Sequence, residues 1–282
     1  MAPEDRIDAH QHFWQIARGD YDWMTDDVAA IRHDILPSDL ETVLQRHRIG
    51  GTVVVQAAAT AAETDFLLGL AQDHAFIKGV VGWADLRDVQ APAVLERLAG
   101  IPKLKGLRPM LQDIDDTRWI ADAKVITNLQ AMADVGLRLD ALVTPRHLDV
   151  LAEVAAQLPS LPIVIDHCAK PVIRAGADAG DIWRRGMARL AEFPHIMCKV
   201  SGLANEAGPH WSADSLQPVV DHVLSVFGPD RVMWGSDWPV LNLAGDYDAW
   251  VAASDQLFSG LSAPDKAAVY RGTARRFYGI TG

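Results

Sequence analysis

Short apolar runs recur along the whole chain with helical segments between them. Runs at 6–12, 52–57, 78–84, 104–109, 137–143, 162–167, 196–200 and 231–236, most of them rich in Val, Ile and Leu, read as eight strands. Most lack long strict alternation, as expected of strands buried on both faces of a parallel sheet. The segments between them carry helix start signals. Ser38-Asp39-Leu40-Glu41 after Pro37, and Thr60-Ala61-Ala62-Glu63, read as capping boxes. Thr144-Pro145 reads as N-cap and first helical residue ahead of Arg146–Leu158. Further helices are expected near 89–99, 117–135, 181–192, 213–227 and 246–259, and a last one near 263–277. Eight βα units in 282 residues predict a single α/β domain over 1–282, a (β/α)8 TIM barrel. A doubly wound open sheet would need a glycine-rich phosphate turn after an early strand, and the sequence has none.

The strand ends carry the chemistry. Asp8-Ala9-His10-Gln11-His12, Asp166-His167 and Gly235-Ser236-Asp237 each close an apolar run. Residues two apart on a strand share a face, so His10 and His12, with Asp8, are expected to point inward, at the end where such barrels do chemistry. Alternation places His167 inward with Ile165 and turns Asp166 toward the helices. The eighth strand lies beside the first, so Asp237 can reach the histidine pair. Three imidazoles and a carboxylate suit a divalent metal, a general base for water, or hydrogen bonding to an oxyanion. Arg108 and Lys199 are expected on the inward face, each as a substrate contact or in an internal ion pair, with Asp140 as the partner of one of them. Trp14, Trp83 and Trp238 are candidate pocket walls. The irregular stretch 13–37, with Phe13, Trp14, Tyr21, Trp23 and His33, reads as a substrate lid or wall, which makes His33 a further candidate contact.

Composition narrows the partners. Lys and Arg number 26 against 37 Asp and Glu, and the resulting charge of −11 argues against nucleic acid or an anionic membrane surface. No apolar run approaches the ~18 residues of a membrane span, and the N-terminal residues lack the apolar stretch of a signal peptide. Two cysteines, Cys168 and Cys198, cannot build a disulfide framework; they read as small buried residues of a reducing cytoplasm. No Gly-x-Ser-x-Gly elbow, zinc-finger spacing or P-loop is present.

The chain resembles the amidohydrolase superfamily, within it the amidohydrolase 2 branch of TIM-barrel metal-dependent hydrolases that includes sugar-acid lactonases. The matching stretches are Arg6-Ile7-Asp8-Ala9-His10-Gln11-His12-Phe13-Trp14, Tyr21-Asp22-Trp23-Met24, Gly106-Leu107-Arg108-Pro109, Val164-Ile165-Asp166-His167-Cys168-Ala169-Lys170-Pro171, Lys199-Val200-Ser201-Gly202-Leu203, Met233-Trp234-Gly235-Ser236-Asp237-Trp238-Pro239 and Ala274-Arg275-Arg276-Phe277-Tyr278-Gly279. The resemblance implies hydrolysis of a lactone of an aldonic acid, such as L-fuconolactone or L-rhamnonolactone, by a small-molecule hydrolase, with homo-oligomers possible. It implies that His10, His12, His167 and Asp237 line the active site and would be the ligands of any metal. Much of the superfamily bridges two metals with a carboxylated lysine from strand four and a histidine from strand five. Here those strands offer Arg108 and Asp140, so one Zn2+ at most is expected, and activity need not depend on it. The alternatives are a mononuclear zinc decarboxylase, which would be expected to use a fifth-strand histidine, a hydrolase of another small lactone, and a non-catalytic sugar-binding barrel.

Overall fold

The computed structural model describes residues 6–173 and 178–281. Its sheet has eight parallel strands: β1 Arg6–Gln11, β2 Ile49–Val55, β3 Ile77–Gly82, β4 Leu104–Leu107, β5 Arg138–Ala141, β6 Ile163–Ile165, β7 Ile196–Val200 and β8 Val232–Trp234. They pair in sequence order from β1 to β8. The sheet closes beyond the end of β8, where Asp237 N–H donates to His10 O at 2.8 Å and His12 N–H to Trp238 O at 2.7 Å. Among the described residues eleven α-helices surround or cap it: α1 Pro37–His47, α2 Ala61–Asp73, α3 Ala91–Ala99, α4 Ala123–Asp134, α5 Leu148–Gln157, α6 Gly180–Ala191, α7 Leu203–Ala207, α8 Ala213–Phe227, α9 Tyr247–Leu257, α10 Ala263–Ala267 and α11 Thr273–Tyr278. The expected TIM barrel is the observed fold, and all eight strands lie where the apolar runs put them.

Two apolar layers hold it. The larger joins the outward strand faces to the helices. The smaller fills the barrel interior with Ile7, Ala9, Val53, Val55, Val81, Val164 and Met233, and includes Phe277, Tyr278 and Ile280 from the C-terminal segment. That segment closes the barrel at the strand starts, and Arg138 at the head of β5 donates to Phe277 O at 2.7 Å. The interior is therefore packed at one end and open for chemistry only at the other.

Local starts differ from expectation where a better cap lies nearby. In α1 the N-cap is Leu36, not Ser38: Pro37 takes the first helical position and Asp39 accepts from Leu36 N–H at 2.8 Å. Thr60 caps α2 as expected, accepting from Glu63 N–H at 3.0 Å. The segment 117–135 divides, because the Asp122 carboxylate starts α4 by accepting from Lys124 N–H. After Pro145 a 3-10 turn precedes α5, and a π-helical turn at Ala268–Gly272 separates α10 from α11.

Glu63 does not complete its capping box. It is fully buried and accepts from Ala57 N–H at 3.0 Å and Tyr21 O–H at 2.7 Å. The bond to Tyr21 ties the long loop after β1 to α2. The base of that loop is closed by paired backbone bonds between Trp14 and Ile35. Burial pushes the Glu63 carboxyl above its ordinary value, despite bonds from Ala57 and Tyr21 that favour the ion. A carboxyl raised in the folded state is bound by a proton more readily there than in the unfolded chain. Its contribution is fully present below the ordinary glutamate value and is lost as pH rises through the raised one. Wild-type stability, measured by urea unfolding against Glu63→Gln, should therefore fall relative to the variant as pH rises from about 4.5. A difference that stays constant across the weakly acidic range contradicts this account of the latch.

Candidate active site

β1 delivers two histidines through an irregularity. Asp8 pairs with Thr52 and Gln11 with Val54, so β1 carries one residue more than β2 between these points. Such a bulge resets which side chains face inward. Ala9 lies in the interior cluster, and His10 and His12 then both reach the mouth. Asp8 does not share their face, contrary to the simple alternation. It accepts from Ser236 N–H at 2.8 Å, Ser236 O–H at 2.6 Å and Tyr247 O–H at 3.0 Å, fastening β1 to the segment that carries Asp237 and to α9. Gly235 lies under this seam. A Cβ there would stand 2.9 Å from His10 Cβ, so the histidine strand can approach only glycine.

β6 corrects a second expectation. Val164 belongs to the barrel interior, whereas Ile163 and Ile165 pack outward, so Asp166 faces the axis. The strand ends at Ile165, and His167, Cys168, Ala169 and Lys170 follow with φ of 52°, 50°, 59° and 49°. This left-handed turn of four non-glycine residues, at a cost of about 1 kcal/mol or more per residue, swings His167 to the mouth. There His167 Nδ1 lies 2.9 Å from Ser201 Oγ. Gly202 must lack a side chain, since its φ is +66° and a Cβ would stand 2.6 Å from His167 Nδ1. Asp237, also left-handed at φ 60°, projects between the histidines.

The cluster is compact and buried. His10 Nε2 and His12 Nε2 are 3.2 Å apart. Asp237 Oδ1 lies 3.3 Å from His12 Nε2, 3.6 Å from His10 Nε2 and 3.8 Å from His167 Nε2. Burial of Asp237, which alone would raise its carboxyl, is outweighed by His167, His12 and His10, so it is held well below the usual carboxylate range. Burial lowers His10 well below the usual imidazole value, reinforced by Lys199, and takes His167 down to about 4. At neutral pH this presents an ionised carboxylate to rings of His10 and His167 that are uncharged.

Beneath them runs a column of charge. Arg108 Nη1 lies 3.4 Å from Asp166 Oδ2 and 3.4 Å from His10 Nε2, and its Nη2 donates to Gln56 O. Lys199 Nζ sits 2.5 Å from Asp140 Oδ2, 3.0 Å from Asp166 Oδ1 and 3.2 Å from His10 Nδ1. Tyr278 O–H donates to Asp140 Oδ2 at 2.6 Å. Burial pushes Asp166 up, but Lys199, His10 and Arg108 overcome it and hold the carboxyl well below its ordinary value. Lys199, fully buried, supports the site from below and is not among the residues around the cavity; of the two roles the sequence left open, substrate contact and structural pairing, it takes the pairing, with Asp140.

The donor set fits a metal ion. His10, His12 and Asp237 bring ligand atoms together, and His10, Asp166 and His167 form an overlapping group. Tetrahedral zinc with arms of about 2.0–2.1 Å spaces its ligands about 3.3 Å apart. The three contacts among His10, His12 and Asp237 are 3.2, 3.3 and 3.6 Å. His12 Nδ1 donates to Val55 O at 2.7 Å, so in the neutral ring its Nε2 lone pair faces the centre, as a held ligand requires.

Above the cluster lies a cavity of about 250 Å³ bounded by His12, Trp14, Trp23, Arg108, Met110, Leu142, His167, Lys170 and Asp237, among others. That is small for a ligand pocket (~300–1,000 Å³) and suits a small metabolite. Trp14 and Trp23 meet edge to face at 5.8 Å and are pinned by indole N–H bonds, Trp14 to His33 O at 2.9 Å and Trp23 to Ala57 O at 2.8 Å. Trp14, Trp23 and Val28 of the long loop thus border the cavity. Other expected walls lie elsewhere. Trp83 borders a separate outer cleft beside α3. Trp238 packs on Phe13 and gives the site only its carbonyl. His33 is exposed and contributes its backbone oxygen to Trp14. A larger adjoining cleft, about 820 Å³ with Trp211 and His210 in its walls, shares Val240 and Leu243 with the cavity but none of the histidine–aspartate cluster. Met110, Gln112 and Leu142 follow β4 and β5 without a motif, and sequence reasoning missed them. Gln56 was missed too, although its place just past β2 was a usable signal. Cys168 and Cys198 are buried and free, and burial pushes the Cys198 thiol well up, away from nucleophilic use.

Comparison with known proteins agrees with this geometry. The amidohydrolase family profile matches residues 7–280. An L-fucono-1,5-lactonase of Burkholderia ambifaria is 46% identical over 279 residues, 98% of this chain and 96% of that protein. A second L-fucono-1,5-lactonase, from Burkholderia multivorans, is 39% identical over 98% of this chain and 96% of its own length. A crystal structure of an amidohydrolase from Burkholderia multivorans with bound zinc superimposes with a TM-score of 0.92 at 36% identity, covering 98% of this chain and 99% of that one. The fold, the mouth-facing histidines and these likenesses together make the chain a member of the amidohydrolase family.

Proposed function

We propose that the protein hydrolyses an aldonolactone, L-fucono-1,5-lactone or a close relative, to the aldonic acid. The observation that carries this is an ionised Asp237 among three imidazoles under a cavity of metabolite size. Likeness to two L-fucono-1,5-lactonases over nearly the whole chain supports it.

The reaction balances with the chain's own groups. A water in the cavity attacks the lactone carbonyl carbon while Asp237 accepts its proton. The new C–O bond forms as the carbonyl π pair moves to oxygen. The Arg108 guanidinium, at the cavity wall, and an imidazole N–H stabilise that oxyanion. Collapse breaks the bond to the ring oxygen, which takes the proton back from Asp237. The carboxylic acid product ionises at neutral pH and releases one proton per turnover. A lactone is an activated ester, so it needs less electrophilic help than an amide. Trp14 and Trp23 supply a flat face for the ring, and Lys170, Gln112 and Asp113 supply polar contacts for hydroxyls.

His10, His12 and Asp237 would hold one zinc ion, with His167 beside them. Bound there, the ion would supply Lewis-acid polarisation of a carbonyl. A decarboxylase reading is disfavoured because β5 contributes Asp140, which is bound to Lys199 and Tyr278 below the site.

Purified protein given a panel of aldonolactones in a pH-indicator assay should release protons fastest with the 6-deoxy L-galactono series, with and without chelator. Silence across the panel contradicts the reading. Asp237→Asn should retain its fold by circular dichroism and lose roughly 10²–10⁴-fold in kcat; near wild-type turnover would remove Asp237 from the mechanism. Arg108→Gln should lower kcat by roughly 10²–10³-fold with a smaller change in KM. An effect confined to KM would make Arg108 a ground-state contact only.

A further inference from the structure

We propose that Lys199 sets the tautomer of His10, placing its proton on Nε2, and thereby decides whether His10 acts as a hydrogen-bond donor or as a metal ligand. An ammonium has three protons and no lone pair. Lys199 Nζ hydrogen-bonds Asp140 Oδ2 at 2.5 Å and lies 3.2 Å from His10 Nδ1, with Asp166 Oδ1 beside it at 3.0 Å as an ion-pair partner. Because the ammonium can only donate, its bond to His10 makes Nδ1 the acceptor, and the proton of the neutral ring lies on Nε2.

A second contact gives the same answer independently. His12 Nδ1 lies 2.7 Å from the Val55 carbonyl, which can only accept. The neutral His12 ring therefore turns a lone pair on Nε2 toward His10 Nε2, 3.2 Å away. That distance is a hydrogen bond when His10 carries the proton. Arg108 Nη1 carries two protons and lies 3.4 Å from both Asp166 Oδ2 and His10 Nε2; the contact to His10 is longer than those His10 makes to Lys199 and His12, both 3.2 Å.

The alternative tautomer is also built in. Asp166 Oδ1 lies 3.3 Å from His10 Nδ1 and can accept from it once Lys199 yields that position. Only then does His10 Nε2 offer a lone pair to a cation. Metal binding must therefore break the bond from Lys199 to His10 and tolerate its charge nearby. In the proton-bearing state His10 Nε2–H points at the cluster, where it can donate to a developing oxyanion. That catalytic consequence rests on the lactone reading above. The tautomer and the metal affinity do not, and both are read without substrate.

The test is long-range 15N–1H spectroscopy of 15N-histidine-labelled, chelator-treated protein, with His10 assigned by the signals lost in His10→Gln. Wild type should show His10 protonated at Nε2 with Nδ1 as acceptor. Lys199→Met should move the proton to Nδ1 and tighten zinc binding about tenfold, the scale on which groups behind a ligand act, measured by competition with a chromophoric chelator. A wild-type His10 protonated at Nδ1 overturns the proposal, whether or not the variant folds. So does a variant that keeps the Nε2 proton, or one whose zinc affinity is unchanged. Loss of lactone hydrolysis with the expected tautomers would count against the function alone.

Discussion

The ammonium of Lys199, fully buried between Asp140 and Asp166, is the constraint on which the site depends. Removing such ions from water costs several kcal/mol each unless close partners compensate. Here each partner has a second task. Asp140 also accepts from Tyr278, so the column is seated on the segment that closes the barrel. Asp166 also faces Arg108 and His10, so the same charge reaches the mouth. The contacts thus run unbroken from Tyr278 at the base of the barrel to His10 at its mouth.

Backbone devices then aim the side chains. The bulge in β1 turns both histidines inward and frees Asp8 to fasten β1 to Ser236. The left-handed turn after β6 lifts His167 above Asp166, so adjacent residues serve different levels of one column. Such conformations persist only when the surroundings hold them. Trp183 does so here by donating to Cys168 O at 2.7 Å inside the turn. The rigid scaffold brings His10, His12 and His167 within 3.3–3.8 Å of Asp237 Oδ1, although β1, the turn after β6 and the segment after β8 lie far apart in sequence.

Much of this was legible in the residues, and the limits have physical causes. Eight apolar runs and their spacing specify the barrel, because parallel strands covered on both faces need continuous Val, Ile and Leu. That same continuity hides which face is inward: in Ile163-Val164-Ile165 every position is apolar, and only the structure shows Val164 on the axis and Asp166 with it. A bulge leaves no mark in the sequence, so simple alternation puts Asp8 on the face of His10, where the structure does not. Tryptophans announce walls but not which wall, as Trp83 and Trp238 show. His10, His12, His167 and Asp237 stood out because imidazoles and a carboxylate at strand ends have few purely packing uses, and these four do converge.

The central claim is that this buried network directs water onto a lactone carbonyl without a covalent step. Single-turnover hydrolysis of L-fucono-1,5-lactone in H2 18O, followed by mass spectrometry of the product, tests it directly. The account predicts one heavy oxygen, in the carboxylate, formed faster than in buffer alone and already present in the first turnover. Label at the released ring hydroxyl, or a first turnover that carries only light oxygen, would contradict it.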